Sequence, residues 1–199
     1  MYTVYTKYKM YALSYYGCML YFKFMSRKPD CKHCYYPTNS NVEFITRRGK
    51  YDTYNVFLHK DQSYFGRCLV ATQRHVGRLQ DLDYKEKEDF FTVVRDLEII
   101  LEGCVFQELD LLPHPWSEKD IYFNWTCFMN NTHQQDFPDP HVHWHVRPRY
   151  RQPFCFRGME FTDPDFGKHY NITRKTEIPF DLQKEIINKI REGYLSWDE

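Results

Sequence analysis

Residues 141–146 read His141-Val142-His143-Trp144-His145-Val146, so three histidines alternate with three apolar residues. Because successive side chains of a β-strand point to opposite faces, this stretch predicts a strand with its histidines on one face and its two valines and tryptophan in the core. A single outward histidine is most often an ordinary polar residue on an amphipathic strand. Three titratable rings in strict alternation, each able to bind a metal or act on a substrate, instead indicate a functional site.

The composition limits the classes of protein to consider. The chain has 199 residues, enough for one domain with a sizeable core, and its 27 Lys and Arg balance its 27 Asp and Glu. A balanced charge gives no strong field toward nucleic acid or an anionic membrane, so neither is expected as a partner. The 7 cysteines are scattered and odd in number, which makes a poor disulfide framework and favours a reducing compartment. We therefore expect the protein to be cytoplasmic.

Outward from the histidine strand, the chain predicts an α+β fold with a mostly antiparallel sheet and one long helix packed against it. The strand-like runs bounded by turn residues are residues 42–46, 51–59, 67–72 and 121–129. Asp83 and Glu86 have the spacing of a capping box, and the apolar residues after them keep helical spacing to about Leu109. A final short amphipathic helix is predicted to open at Pro179.

We divide the chain into three segments. Residues 1–25 are a Tyr-rich extension, expected to be poorly ordered or to precede a true start at Met25, with a signal or anchor as the alternative. The uncharged run of residues 10–22 is too short to span a bilayer comfortably. Residues 26–150 are expected to form the main domain, and residues 151–199 a C-terminal extension with a short helix.

These residues resemble the histidine-triad (HIT) family. Alternating His and apolar residues followed by Pro148-Arg149 look like the triad motif of that family, and residues 66–76 resemble its Gly-His-(apolar run)-Pro-Lys-x-His segment. Cys31-x-x-Cys34 is similar to the N-terminal cysteine pair of the zinc-containing members. The resemblance covers roughly residues 30–150. It implies a HIT-like fold with an antiparallel sheet, usually in a homodimer.

The resemblance also implies a reaction. It is nucleotidyl transfer or hydrolysis at the α-phosphate of a nucleoside phosphate derivative, such as a dinucleoside polyphosphate or a phosphoramidate. His143 would be the nucleophile, since a neutral imidazole nitrogen is nucleophilic near pH 7. His145 would lie beside the phosphate, where a protonated ring could offset developing charge. A histidine at 145, where hexose-1-phosphate transferases carry Gln, favours hydrolysis over sugar transfer.

A structural zinc site is the second expectation from the resemblance. Its ligands would be Cys31, Cys34, His75 and His141, which complete a tetrahedral site with no open position. His33, between the two cysteines, is expected to face solvent, although it could substitute for a ligand. The alternative is that the cysteines form an ordinary surface pair.

Three residues are expected to bind substrate: Asn130, Gln135 and Arg67. Arg67 stands where the family often has His, and it would either bind a phosphate bidentately or be structural. The loop of residues 133–140 departs from the small polar run of the family, so that Gln134 or Gln135 would replace its phosphate-binding groups. Two aspartates in that loop are unexpected near an anionic substrate. His59 and Asp61 are weaker candidates for contacts to the base and ribose.

Two other functions remain open from the sequence. His141 and His143, with a third histidine, could instead ligate a catalytic zinc, which lowers the pKa of bound water to about 7. The altered loop would also suit a non-catalytic, zinc-stabilised module that binds a nucleotide or a protein.

We expect a homodimer, because the long helix leaves more apolar surface than one small sheet covers. The alternative is that residues 150–199 fold back over that surface.

Overall fold

The structure is a computed structural model that describes residues 28, 31, 33–34, 42–49, 52–111, 117, 119–129 and 131–196. The Tyr-rich extension predicted for residues 1–25 and the predicted substrate contact Asn130 lie outside these residues. In the described part, no helix is both long and apolar enough to span a membrane.

A five-stranded antiparallel sheet carries the histidines. Its strands are β1 (Val42–Arg48), β2 (Tyr54–His59), β3 (Cys68–Thr72), β4 (Ile121–Thr126) and β5 (His143–Tyr150). Their order across the sheet is β1-β2-β3-β5-β4, and every neighbouring pair is antiparallel. The histidine strand β5 therefore has a partner on each side. The predicted α+β fold with an antiparallel sheet is confirmed.

The long predicted helix is confirmed as α1 (Tyr84–Ile100), which continues as a π-helical segment (Leu101–Gln107). Asp83 is the N-cap: its side chain accepts a hydrogen bond from the backbone N–H of Glu86, and the Glu86 side chain accepts one from the N–H of Asp83. This capping box satisfies two backbone donors that the first helical turn would otherwise leave unpaired.

The alternation of β5 separates the core from the histidines. Val142, Trp144 and Val146 are buried in the main core, together with α1 residues such as Leu97. The opposite face of the sheet carries the histidines and a smaller apolar cluster of Phe57, Leu69 and Ala71, with Val42 and Phe44 beside it. Leu69 pairs with His145 and Ala71 with His143, so this cluster borders the histidine row.

The chain after β5 folds back onto the same core. It forms a hairpin of β6 (Phe154–Phe156) and β7 (Met159–Phe161), and then α2 (Phe180–Leu195). The buried α2 residues are Leu182, Gln183, Ile186, Ile187, Ile190, Gly193 and Tyr194. The final amphipathic helix is therefore confirmed. It packs against α1, the π-helical segment and β1, so it covers part of the surface of the long helix that we expected a dimer to bury. The homodimer stays a prediction, as does the domain boundary after residue 150.

Candidate functional site

His143 has a defined tautomer. It opens β5 opposite Ala71, and its Nδ1 lies 2.7 Å from the backbone oxygen of His141. A carbonyl oxygen only accepts hydrogen bonds, so Nδ1 must carry the proton and donate it. Nε2 of the neutral ring is then the unprotonated nitrogen, and an unprotonated nitrogen is what a nucleophile requires.

Burial and neighbouring charges disfavour the protonated form of His145. It lies in β5 between Leu69 of β3 and Thr126 of β4, and its ring centroid is 5.2 Å from that of His143. Burial, and then the charges of His143 and Arg147, lower the pKa of His145 to about 2. A half-buried imidazole beside cationic groups is disfavoured in its charged form, which argues against the protonated ring that the resemblance implies.

The four residues predicted to bind zinc come together. One ligand atom from each of Cys31, Cys34, His75 and His141 lies within 4.8 Å of all the others. The Nδ1 atom of His141 is 3.2 Å from Cys31 Sγ and 3.4 Å from Cys34 Sγ. The usual zinc bond lengths in a tetrahedron give a sulfur–nitrogen separation of about 3.5 Å. The donor set and its spacing therefore fit a tetrahedral metal ion.

The protonation of the cluster also suits a metal. The Cys34 thiol donates to Cys31, and with a smaller effect from His141 this lowers the pKa of Cys31 well below its usual range. The thiolate is the form of cysteine that binds metals.

Each ligand histidine is held from behind. His141 Nε2 donates to the backbone oxygen of Thr72 at 2.7 Å, and His75 Nε2 lies 3.2 Å from Asp139 Oδ1. Such outer partners fix the ring orientation and tautomer of metal-binding histidines. Asp139 also pairs with Lys28 at 2.7 Å. One of the two aspartates that seemed out of place near a phosphate therefore lies on the metal side of the site.

The expectation that His33 faces solvent is wrong. The half-buried His33 ring stacks on His143, with the ring centroids 4.5 Å apart and the planes at 23°. It also meets His141 edge to face at 5.6 Å. The sequence shows that His33 lies between two cysteines of the predicted zinc site, but it does not show which way the turn directs the ring.

Basic residues border the histidine row at its far end. The arginine predicted as a phosphate contact, Arg67, is buried and forms an ion pair with Asp61. Arg147, which was not predicted as a site residue, is buried beside it and lies over the ring of Tyr170 at 4.2 Å. The His59 ring is 6.4 Å from that of His145, and burial together with Arg67 lowers the pKa of His59 to about 3. The signal for Arg147 was present, since it continues the alternation.

Gln135 is not brought into this cluster. It lies in an exposed loop that follows a short 3-10 turn of residues 131–134. In the described part of the chain, no side-chain hydrogen bond joins Gln135 to the three histidines. Its predicted contact with substrate stays a prediction.

Comparisons with known proteins give similarity at the level of structure. No model of a known protein family matches the sequence, and no curated protein matches it. A hypothetical histidine triad nucleotide-binding protein from Sulfolobus tokodaii is 16% identical, over 79% of this chain and 86% of that chain, with a TM-score of 0.49. A histidine triad protein from Bradyrhizobium japonicum is 16% identical, over 77% of this chain and 90% of that chain, and its TM-score is also 0.49. A Plasmodium falciparum diadenosine triphosphate hydrolase is 16% identical, over 81% of this chain and 90% of that chain, with a TM-score of 0.41.

Proposed function

We propose that this chain is a histidine-triad protein that hydrolyses or transfers a nucleotidyl group at an α-phosphate. The single observation that carries the proposal is the hydrogen bond from His143 Nδ1 to the backbone oxygen of His141. It leaves Nε2 as the unprotonated nitrogen of a half-buried ring, in a strand whose sequence resembles the triad motif.

The reaction would run in two displacements. In the first, the Nε2 lone pair of His143 forms a bond to the α-phosphorus while the bond from phosphorus to the leaving group breaks, and the leaving group departs with that electron pair. In the second, the oxygen of water or of another acceptor forms a bond to phosphorus and loses its proton to solvent. The nitrogen–phosphorus bond breaks at the same time, and its electron pair returns to Nε2. The donated Nδ1 proton stabilises the positive ring of the intermediate by its bond to the carbonyl of His141.

The cluster of cysteines and histidines supports a structural zinc ion in this proposal. Zinc bound by Cys31, Cys34, His75 and His141 would supply folding free energy rather than a reacting group, since four protein ligands leave no open position. His143 is outside this ligand set, and its Nδ1 already bonds a carbonyl. That arrangement favours a nucleophilic role for His143 over the alternative in which His141 and His143 jointly hold a catalytic metal.

The test is capture of the intermediate. Wild-type protein is mixed for a short time with diadenosine triphosphate, quenched in base because a phosphoramidate linkage is acid-labile, and analysed by mass spectrometry. We expect a nucleotidyl adduct on the peptide that contains His143. His143→Ala should give no adduct and lose several powers of ten in turnover, with fold and metal content unchanged.

The His145→Ala variant is the matched control, since His145 is a neighbour of the nucleophile that does not bond to phosphorus. It should lower turnover less and still form the adduct. If His143→Ala keeps turnover within about tenfold of wild type, which is ~1.4 kcal/mol of barrier, the nucleophile is another group. A wild-type protein that binds the nucleotide but never turns it over would favour the non-catalytic module.

A further inference from the structure

The alternation that presents the histidines continues past His145. Arg147 is the next residue on the same face of β5, opposite Asn124 of β4. On the other side, Cys68 pairs with Val146, so Arg67, one residue earlier, lies beside Arg147 on the neighbouring strand. Two guanidinium groups therefore follow directly after the histidine row.

These two cations are buried, and one carboxylate pairs with Arg67. Arg67 is 9% exposed and Arg147 is 4% exposed. Asp61 pairs with Arg67, whereas no carboxylate among the described residues lies within ion-pair distance of Arg147. The Nε atom of Arg67 is also buried without a hydrogen-bond partner. A buried charge without a counter-ion is costly, which indicates that an anion completes this group in the working protein.

The guanidinium of Arg147 reaches back toward the histidines. Its Nη1 donates to Thr126 Oγ1 at 3.1 Å, and Thr126 pairs with His145 across the two strands. The stacked ring of Tyr170 supports the guanidinium from its far side. An anion bound by Arg147 would therefore lie next to His145, one ring away from the nucleophile His143.

We propose that Arg67 and Arg147 form a subsite for the anionic leaving group, so that the substrate carries further phosphate groups beyond its α-phosphate. The inference rests on the proposed function of His143 and selects between the two substrate classes named with it. Dinucleoside polyphosphates and nucleoside polyphosphates fit the subsite, and phosphoramidates do not.

The chemistry of the leaving group supports this choice. When the bond from the α-phosphorus to the bridging oxygen breaks, the oxygen keeps the electron pair and the departing phosphate gains negative charge. Two guanidinium groups can balance that charge without moving a proton. An amine that leaves a phosphoramidate must instead take up a proton, and the neutral His145 beside it is a poor acid.

The test compares two substrates with the same nucleoside, diadenosine tetraphosphate and adenosine 5′-phosphoramidate. We expect Arg147→Gln to lower kcat/KM for the tetraphosphate about 100-fold, as loss of one oxyanion donor does, and for the phosphoramidate by less than about threefold. Arg147→Lys, which keeps the charge but not the fork of donors, should fall in between. Arg157→Gln, which removes an exposed arginine paired with Glu185, is the control and should leave kcat/KM unchanged for both substrates.

Equal losses of kcat/KM for the two substrates would overturn the subsite, because Arg147 would then act at the α-phosphate or only stabilise the fold. Absence of turnover and of adduct in the wild type would be a failure of the proposed function instead. In that case the subsite is tested by calorimetric titration with inorganic tripolyphosphate. Binding that Arg147→Gln weakens at least about tenfold supports the subsite, and binding that it leaves unchanged overturns it.

Discussion

The ring of His143 is held on two sides by different parts of the chain. The carbonyl of His141 accepts from its Nδ1, and the His33 ring stacks on its face. His33 lies between Cys31 and Cys34, so the turn that supplies two of the proposed metal ligands also contacts the proposed nucleophile. This turn can therefore position the ring of the proposed nucleophile.

Replacing His33 tests this positioning role. We expect His33→Ala to slow adduct formation on His143 several-fold in single-turnover experiments, since the ring loses a stacking partner worth about 1 kcal/mol. His33→Phe keeps an aromatic face and should recover most of the rate, with KM unchanged in both variants. Metal content is measured alongside. If Ala and Phe lose the same amount, the stacking contact is not what positions His143.

Zinc content is the second prediction at this scale. We expect elemental analysis of purified protein to find one zinc per chain. Cys31→Ser should lose the metal and lower Tm sharply, because small structural sites contribute about 10 kcal/mol or more of apparent binding free energy. Cys155→Ser changes an exposed cysteine far from the cluster and should keep both metal and Tm. Folded wild-type protein without zinc would end this assignment.

Asp139 should strengthen the site from outside. Its carboxylate lies behind His75, and loss of such an outer partner commonly weakens metal binding 10–100-fold. Asp139→Asn should show a loss of about this size in competition titrations with a chelator. Asp136→Asn, in the same loop but exposed, is the matched control. Equal affinities in the two variants would mean that Asp139 only neutralises Lys28.

The structure brings together the predicted histidines and the four residues of the predicted zinc site, while their roles stay predictions. Strict alternation was enough to place the three histidines on one face, and the resemblance named the four residues of the metal cluster. The tautomer of His143 was open because it depends on which acceptor the fold brings to Nδ1. The proposed roles of Asp139 and Arg147 depend on contacts between segments that are distant in sequence, which spacing alone does not reveal.

At the scale of elements, the local signals in the sequence were sufficient for the helix starts. The capping box of Asp83 fixed the start of α1, and apolar spacing gave the buried side of α2. The ends of the helices and strands were less certain from the sequence, because packing decides where they lie. The strand predicted to reach residue 129 stops at Thr126, and Met129 has a φ of 56° that an extended strand cannot accommodate. The π-helical end of the long helix has no signal in the apolar spacing.

The crossing of α2 over the long helix depends on Gly193. A Cβ added there would lie 2.8 Å from Cys104 Sγ and 2.8 Å from Ile100 Cγ2, closer than side-chain contacts allow. We expect Gly193→Val to lower the free energy of unfolding by about 1–3 kcal/mol, the usual cost of overpacking. Urea denaturation measures the change.

The control for this prediction is a glycine in the partner segment. An added Cβ at Gly103 would meet nothing within 4 Å, so Gly103→Ala should leave the free energy of unfolding unchanged or raise it by up to about 1 kcal/mol. If Gly193→Val is as stable as Gly103→Ala, the two helical segments can separate without loss, and the close approach is not required.

At the scale of the whole molecule, a buried ion pair joins the C-terminal segment to the sheet. Arg149, at the end of the histidine strand, donates to both carboxylate oxygens of Asp163, and both side chains are fully buried. Arg149 also donates to Asn124 Oδ1 and to the backbone oxygen of Lys168. Residues 151–176 lack periodicity, so the sequence did not show that they return to the sheet.

Two aromatic side chains of α1 stay exposed after residues 151–196 return to the sheet. Tyr84 and Phe91 lie two turns apart on the same side of the helix and are 76% and 74% exposed. The strand β4 is an edge of the sheet, and its Trp125 bonds to Glu98 of α1, so the helix face and the sheet edge are neighbours. The other edge, β1, is partly covered, because Arg191 of α2 donates to its backbone.

The predicted homodimer would use this remaining surface. We expect light scattering at micromolar concentration to give twice the chain mass of 24.5 kDa. Phe91→Asp should shift the protein to the monomer, because a buried carboxylate without a partner is strongly unfavourable in an interface. Phe137→Asp, in an exposed loop where the side chain is 90% exposed, changes the charge equally and should leave the dimer intact. A monomeric wild type would contradict the prediction. A dimer that survives Phe91→Asp would move the interface away from α1, which leaves the β4 edge as its remaining candidate.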